Sequence, residues 1–267
     1  MNKIGTLFLF QLRLHRKSIF IWAFALFGFM AMYMMFFSTM QEIAQVKLEF
    51  MPEAYLQLMG ISDLSAINNY NSYYAMIFHI LLIVISIFAI TFGMNLLLKE
   101  EKNKTIEFLY SLEVTRSQIF CSKLLLAFFA LFFVCMAASF GGILLGFIVG
   151  DQSFQLDKLI PKIATGCLIP FLYLTITFSA AALSSKRSTT GLGCGFLLTT
   201  YLLGYLGNLL HTKAQWLCYF SPFEVLSPSK TLHWDGETLF ICAFYLLLFV
   251  ISLLIGWLHY QKRDFQL

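Results

Sequence analysis

The sequence predicts an all-α integral membrane protein: six transmembrane helices preceded by an N-terminal interfacial helix that elbows into the first of them. Three observations predict it. Charged residues make up 12% of the 267 positions and hydrophobic ones 59%, whereas an ordinary soluble domain carries about 25% charged residues. The mean hydropathy is +0.77. Six apolar runs each reach the roughly 20 residues that a helix needs to cross a bilayer. So little charge cannot cover a water-facing surface, which excludes a soluble enzyme. Disorder is excluded because it requires low hydrophobicity and high charge. The cysteines, Cys121, Cys135, Cys167, Cys194, Cys218 and Cys242, are scattered and lie mostly in apolar runs, so they do not form a disulfide framework. The alternating segments of about 10 residues that mark a transmembrane barrel are absent.

Met1–Ser18 is predicted as the interfacial helix. Lys3, Thr6, Arg13, Arg16 and Lys17 share a polar sector of a helical wheel, while Ile4, Leu7, Phe8, Phe10, Leu12 and Leu14 fill most of the rest and Leu9 falls off the pattern. Such a helix lies in the headgroup plane. A basic tail that only fixes orientation is the alternative reading. The spans follow at Ile19–Phe37, Tyr74–Leu98, Ser122–Val149, Leu159–Leu183, Thr189–Leu210 and Thr238–Leu258. The first run is too long for a signal peptide, and no small-residue cleavage site follows Phe37.

Between the first two spans, Gln41–Phe50 has the makings of a short surface helix ended by Pro52. The third span carries Ala138, Gly142, Gly146 and Gly150 at four-residue spacing. This stripe lets another helix approach closely, either within the chain or across a dimer seam. Pro161 opens the fourth span at little cost, and Pro170 is expected to kink it. Ser221-Pro222 and Ser227-Pro228 mark turns in the last loop. No loop is large enough to fold alone, so residues 1–267 read as a single domain.

Of the 18 Lys and Arg residues, 13 lie in the N-terminal segment, the Lys99–Lys123 loop, the Lys186-Arg187 turn and the C-terminal tail. These four segments share one side of the membrane. The positive-inside rule puts that side, and both termini, in the cytoplasm. The net charge of +4 therefore reflects orientation and attraction to the lipid surface, and gives no ground for a nucleic-acid partner.

Catalytic and metal-binding signatures are missing. There is no H-E-x-x-H and no G-x-S-x-G. The run Gly191-Leu192-Gly193-Cys194-Gly195 lacks the Lys-Ser/Thr ending of a phosphate loop and reads as close helix packing. No catalytic residue, metal ligand or cofactor is expected on this chain. The spans hold almost no charge. Lys162 lies one turn from a span end, and His79 and His259 lie near span ends. Buried charges usually mark proton relays, so this pattern weighs against a proton-driven carrier.

The segment Lys99–Lys123 carries nine charges, yet it places Ile106, Phe108, Leu109 and Leu112 together. Ile106, Leu109 and Tyr110 fall three and four apart, which gives a short helix one apolar face, rimmed by Glu107, Glu113 and Arg116. Such a face suits docking into a groove of a soluble partner. A helix lying on lipid headgroups is the alternative.

This segment resembles the loop between spans two and three of ABC-2 type transporter permeases. The matching residues are Glu101, Thr105, Ile106, Glu107, Leu109, Ser111, Val114, Thr115, Arg116 and Lys123, with Lys104 and Glu113 standing where the family usually has Gly and often has Pro. Three further stretches are similar to the family: Met51-Pro52-Glu53-Ala54 through Met59-Gly60-Ile61, Tyr219-Phe220-Ser221-Pro222-Phe223, and the ending Lys262-Arg263-Asp264-Phe265.

The resemblance implies the permease subunit of an ATP-driven exporter in a bacterial cell membrane. Its partners would be cytoplasmic ABC ATPase subunits, which carry ATP and Mg, a second permease copy or paralogue, and the lipid bilayer. By the same resemblance, residues 99–121 form the coupling loop. Thr105, Ile106, Glu107, Phe108, Leu109, Tyr110, Ser111 and Leu112, with Arg116, would then engage the ATPase. Ser86, Thr91 and Asn95 in the second span and Thr199, Thr200, Tyr201, Tyr205 and Asn208 in the fifth are candidates for the substrate path. Their weakly polar, aromatic character suits a hydrophobic or amphipathic cargo such as a peptide toxin, an antimicrobial peptide or a lipid-like molecule. Hydrogen bonds within their own helices would account for them equally well. A channel or carrier that needs no ATPase is the competing function.

Overall fold

The computed structural model describes residues 3–47, 69–102, 114–150, 153–184, 190–210, 214–229 and 236–262. Its helices are α1 (Lys3–Met35), α2 (Phe37–Lys47), α3 (Tyr70–Lys102), α4 (Arg116–Val149), α5 (Leu156–Leu183), α6 (Thr190–Leu209), a 3-10 helix (Gln215–Phe220), α7 (Pro222–Val225) and α8 (Gly236–Lys262). Six of them, α1, α3, α4, α5, α6 and α8, are long and apolar enough to cross a membrane. They fall on the six expected spans, and no strand occurs among the described residues. The protein is an all-α, multi-pass membrane protein.

The expected interfacial helix and the first span form one continuous helix, α1, with no interruption near Ser18. Ring contacts nevertheless reveal a change of direction. Phe20 packs on Phe133 and Phe27 on Phe140, with centroids 5.5 and 6.3 Å apart, so the second half of α1 runs parallel to α4 and in step with it. Phe8 meets Phe129 at 5.8 Å. Phe8 and Phe20 are about 18 Å apart along a helix, whereas Phe129 and Phe133 are only about 6 Å apart. The first turns of α1 therefore run obliquely to α4, as an elbow does.

The chain termini share one end of the bundle, and hydrogen bonds lock that end. Lys123, only 1% exposed, donates from Nζ to the Leu97 carbonyl at 3.2 Å. His15 Nε2 lies 3.5 Å from Lys99 Nζ. α3 and α4 continue several residues beyond the apolar runs that announced them, and a capping box of Thr115 and Gln118 starts α4. At the opposite end, Asn71 and Gln155 bond reciprocally: Asn71 Nδ2 donates to the Gln155 carbonyl at 2.8 Å, and Asn71 Oδ1 accepts from the Gln155 amide at 3.3 Å.

The small-residue stripe on α4 is an intrachain seam. A Cβ at Gly142 would run into the Tyr74 ring and Met30, and a Cβ at Gly146 into Phe154. The neighbouring Gly141 meets α1 itself, where a Cβ would sit 2.8 Å from the Phe27 carbonyl oxygen. Tyr70 adds a hydrogen bond from its hydroxyl to the Gly142 carbonyl at 2.5 Å. The core is accordingly centred on α3, with Tyr70, Tyr74, Phe78 and Phe88 almost fully buried. Pro161 and Pro170 are both accommodated in α5, which runs through them as one helix.

Candidate functional site

The last loop was expected to be a pair of turns, but the structure folds residues 214–229 back into the bundle. Two glycines on α6 make room for it. A Cβ at Gly204 would lie 2.6 Å from Ser221 Oγ and 2.7 Å from Glu224 Cγ, and one at Gly207 would lie 2.6 Å from Cys218 Sγ. Pro222 sits in the first turn of α7, where its missing N–H costs little. Phe223 is fully buried. Its ring centroid lies 6.0 Å from that of His79, 5.7 Å from Tyr173 and 5.5 Å from Tyr201. His79, expected near a span end, is buried and lies 3.4 Å from Ser227 Oγ through Nδ1. Irregular backbone at membrane depth is tolerated where protein buries it; residues 221–223 and 226–228 are buried, whereas Trp216, Tyr219 and Phe220 of the 3-10 helix are exposed.

The inserted segment divides the candidate path residues between two places. Gly193 packs on Ile90 and Met94, where a Cβ would be 2.7 Å from Ile90 Cγ2 and 3.4 Å from Met94 Sδ, so α3 and α6 touch there. Thr91 and Asn95 follow Ile90 and Met94 by one residue each on α3. On α6, Tyr201, Tyr205 and Asn208 recur at i, i+4 and i+7, a single helical face. Helical phase sets both groups on the same side of the α3–α6 pair. Asn95 is exposed and the other four are half-buried. Because the helices are antiparallel, Thr91 and Asn95 stand toward the end of the bundle that holds the termini, and Tyr201 through Asn208 toward the other end. They form a polar line on one side of the α3–α6 pair. Asn208 Oδ1 also accepts from Cys218 Sγ at 3.4 Å.

Thr199 and Thr200 face the other side of α6, into a cleft of about 900 Å³. α5, α6, α8 and the inserted segment border it, with Tyr173, Phe196, Phe220, Phe244 and Tyr245 among its walls and no charged residue among the described residues that line it. Its tyrosines are tied inward: the Tyr173 hydroxyl lies 2.5 Å from Thr200 Oγ1, and the Tyr245 hydroxyl donates to the Tyr219 carbonyl at 2.8 Å. Thr200 Oγ1 also bonds the Phe196 and Leu197 carbonyls of its own helix. Replacing Tyr173 with Phe therefore removes one hydrogen bond without orphaning Thr200. The expected cost is about 1 kcal/mol of stability, measured by thermal unfolding of the purified chain in detergent.

Ser86 lies in neither place. It is fully buried, seven residues from Gly93, whose face packs on Leu174 of α5. Its hydroxyl has no partner among the described residues. Thr91 bonds back to the Ile87 and Phe88 carbonyls and Thr199 to Phe196, so these hydroxyls serve their own helices.

Thr105, Ile106, Glu107, Phe108, Leu109, Tyr110, Ser111 and Leu112 lie outside the described residues. Arg116, expected at the partner surface, begins α4 and donates from Nη1 to the Gln261 carbonyl near the end of α8 at 3.1 Å. Thr115 and Gln118 close a capping box ahead of it. Trp257 Nε1 donates to Ser117 Oγ at 3.1 Å. The exit of the candidate coupling segment is thus clamped to both α4 and α8. Among the described residues, no cluster of His, Cys, Asp and Glu is arranged to hold a metal ion. The inserted segment is the part of the site that sequence reasoning missed. Its available signal was the pairing of Gly204 and Gly207 with the small residues Cys218 and Ser221.

A family model described as the multidrug efflux system permease Rv1217c, C-terminal domain, matches residues 5–260. No curated protein and no solved structure matches the chain.

Proposed function

The chain belongs to the family of the multidrug efflux system permease Rv1217c, C-terminal domain, and from that premise we propose how it works as the membrane-spanning permease subunit of an ABC exporter. The single observation that carries the reading is the family match over residues 5–260. The chain pairs with a second permease, a copy of itself or a paralogue. Separate cytoplasmic ATPase subunits bind ATP and Mg, and this chain hydrolyses nothing. The end of the bundle that holds the termini faces the cytoplasm, in a bacterial cell membrane. The biased distribution of Lys and Arg supports that orientation.

Coupling runs through residues 99–121. An ATPase shifts the permease equilibrium only if it binds the two permease states with different affinity. A short helix with an apolar ridge at Phe108 and Leu109 supplies such a docking element. The hydrogen bonds from Arg116 to Gln261 and from Trp257 to Ser117 join the exit of that segment to α4 and α8, so a push at the loop reaches two membrane helices together. The cargo is hydrophobic or amphipathic. The polar line along α3 and α6 offers it amides and phenols at several depths, and the cleft offers it an apolar wall. Alternating access of the cargo path to the two sides completes the cycle.

Affinity purification of the full chain from its native membrane tests this reading. An ABC ATPase is expected to co-purify, and the reconstituted complex is expected to expel a lipid-soluble dye only when ATP is supplied. Dye movement by the chain alone, without ATP, would instead establish a channel or carrier.

A further inference from the structure

The described acidic residues mostly occupy helix ends or the loop helix: Glu42 on α2, Glu100 and Glu101 in the last turns of α3, Asp157 in the first turn of α5 and Glu237 at the start of α8. Glu224 differs. The inserted segment lays its Cγ against Gly204, five residues inside the end of α6, which is about 8 Å along the helix. Glu224 is half-buried there, and Tyr201 precedes Gly204 by three residues, about one helical turn. Tyr205 lies one turn farther along the same face. The Tyr201 ring is held edge-on to Phe223 at 5.5 Å and 89°. Ser221 Oγ abuts the same glycine, is fully buried and has no hydrogen-bond partner among the described residues.

We propose that Glu224 recognises the cationic group of a lipid-soluble cation, with Tyr201 as the aromatic wall beside it. This inference rests on the exporter reading and narrows its substrate class. An ionisable side chain at membrane depth is costly, and such residues mark ion or substrate pathways. A carboxylate beside an aromatic ring selects positive charge twice, once by Coulomb attraction and once through the ring face, which contributes about 0.5–2 kcal/mol. The uncharged cleft across α6 makes no such distinction. It takes the apolar body of any cargo, whereas Glu224 discriminates by charge.

Binding of two probes to the purified full chain in detergent tests the assignment: the cation tetraphenylphosphonium and the neutral dye N-phenyl-1-naphthylamine. Glu224→Gln is expected to weaken the cation about ten-fold, equivalent to about 1.4 kcal/mol, and to leave the neutral dye unchanged. Glu224→Asp keeps the charge and is expected to retain most of the cation affinity. Three results would overturn the proposal: no cation binding to the unaltered chain, equal cation binding to Glu224→Gln, or equal loss of both probes, which would make the carboxylate a structural brace. The readout needs neither ATP nor a partner, so its failure is separate from failure of the exporter reading, which efflux of the neutral dye addresses.

Discussion

Exchanging both Phe108 and Leu109 for Ala is expected to abolish ATP-driven export while the chain still inserts and assembles as a membrane protein. The reasoning is energetic. Burying a Phe or Leu side chain in a partner's groove contributes about 1.5–3 kcal/mol each. Without that docking energy, the ATPase closes without biasing the permease, because a ligand shifts an equilibrium only through its differential affinity. The expected pattern is transport reduced by more than about ten-fold, with ATP hydrolysis persisting but no longer stimulated by cargo. Each single substitution should give an intermediate loss. Phe108 and Leu109 belong to a charged loop between two spans and to neither span, so yield and thermal stability of the double variant should match the unaltered protein. Undiminished transport in the double variant would remove these residues from the coupling role.

Gly142→Leu is expected to unfold or severely destabilise the bundle. Its Cβ would occupy space held by the Tyr74 ring, and Met30 Cε lies 3.1 Å from the Cβ position. Tyr74 and Met30 are fully buried and have nowhere to move. The Tyr70 hydrogen bond to the Gly142 carbonyl would be displaced with them. Overpacking of this kind costs about 1–3 kcal/mol, and loss of the buried hydrogen bond adds about 1 kcal/mol. Thermal unfolding of the purified variant should show a large fall in stability or no folded protein. A variant that kept its stability and changed only its oligomeric state would place the seam between chains instead of within one.

Hydropathy made the spans legible because burial in lipid demands long unbroken apolar runs. It set their limits less well. α4 starts earlier than its apolar run because Thr115 and Gln118 cap it, and Lys99, just past the second run, lies against His15 of α1; the second of these partners is a tertiary fact. The elbow of α1 was visible in the polar sector of Lys3, Arg13 and Lys17, although the helix never breaks. The inserted segment was not legible. Tyr219, Phe220 and Phe223 lie in a stretch too short for a hydropathy signal, and a Gly204-x-x-Gly207 spacing does not state which backbone it admits. Within the site, the spacing of Tyr201, Tyr205 and Asn208 gave their common face, but nothing local distinguished Ser86, buried at the α3–α5 contact, from half-buried Thr91. Glu224 drew no attention in the sequence because only the fold carries it to Gly204.

The central claim is mechanical: the loop between α3 and α4 grips an ATP-hydrolysing partner. Photo-crosslinking reports on that grip most directly. A benzoylphenylalanine placed at position 108 and irradiated in native membranes during turnover is predicted to capture an ATP-binding-cassette subunit, with a yield that changes when ATP is replaced by ADP. Labelling of position 108 by a membrane-impermeant reagent added from outside the cell, with no protein captured, would contradict the account.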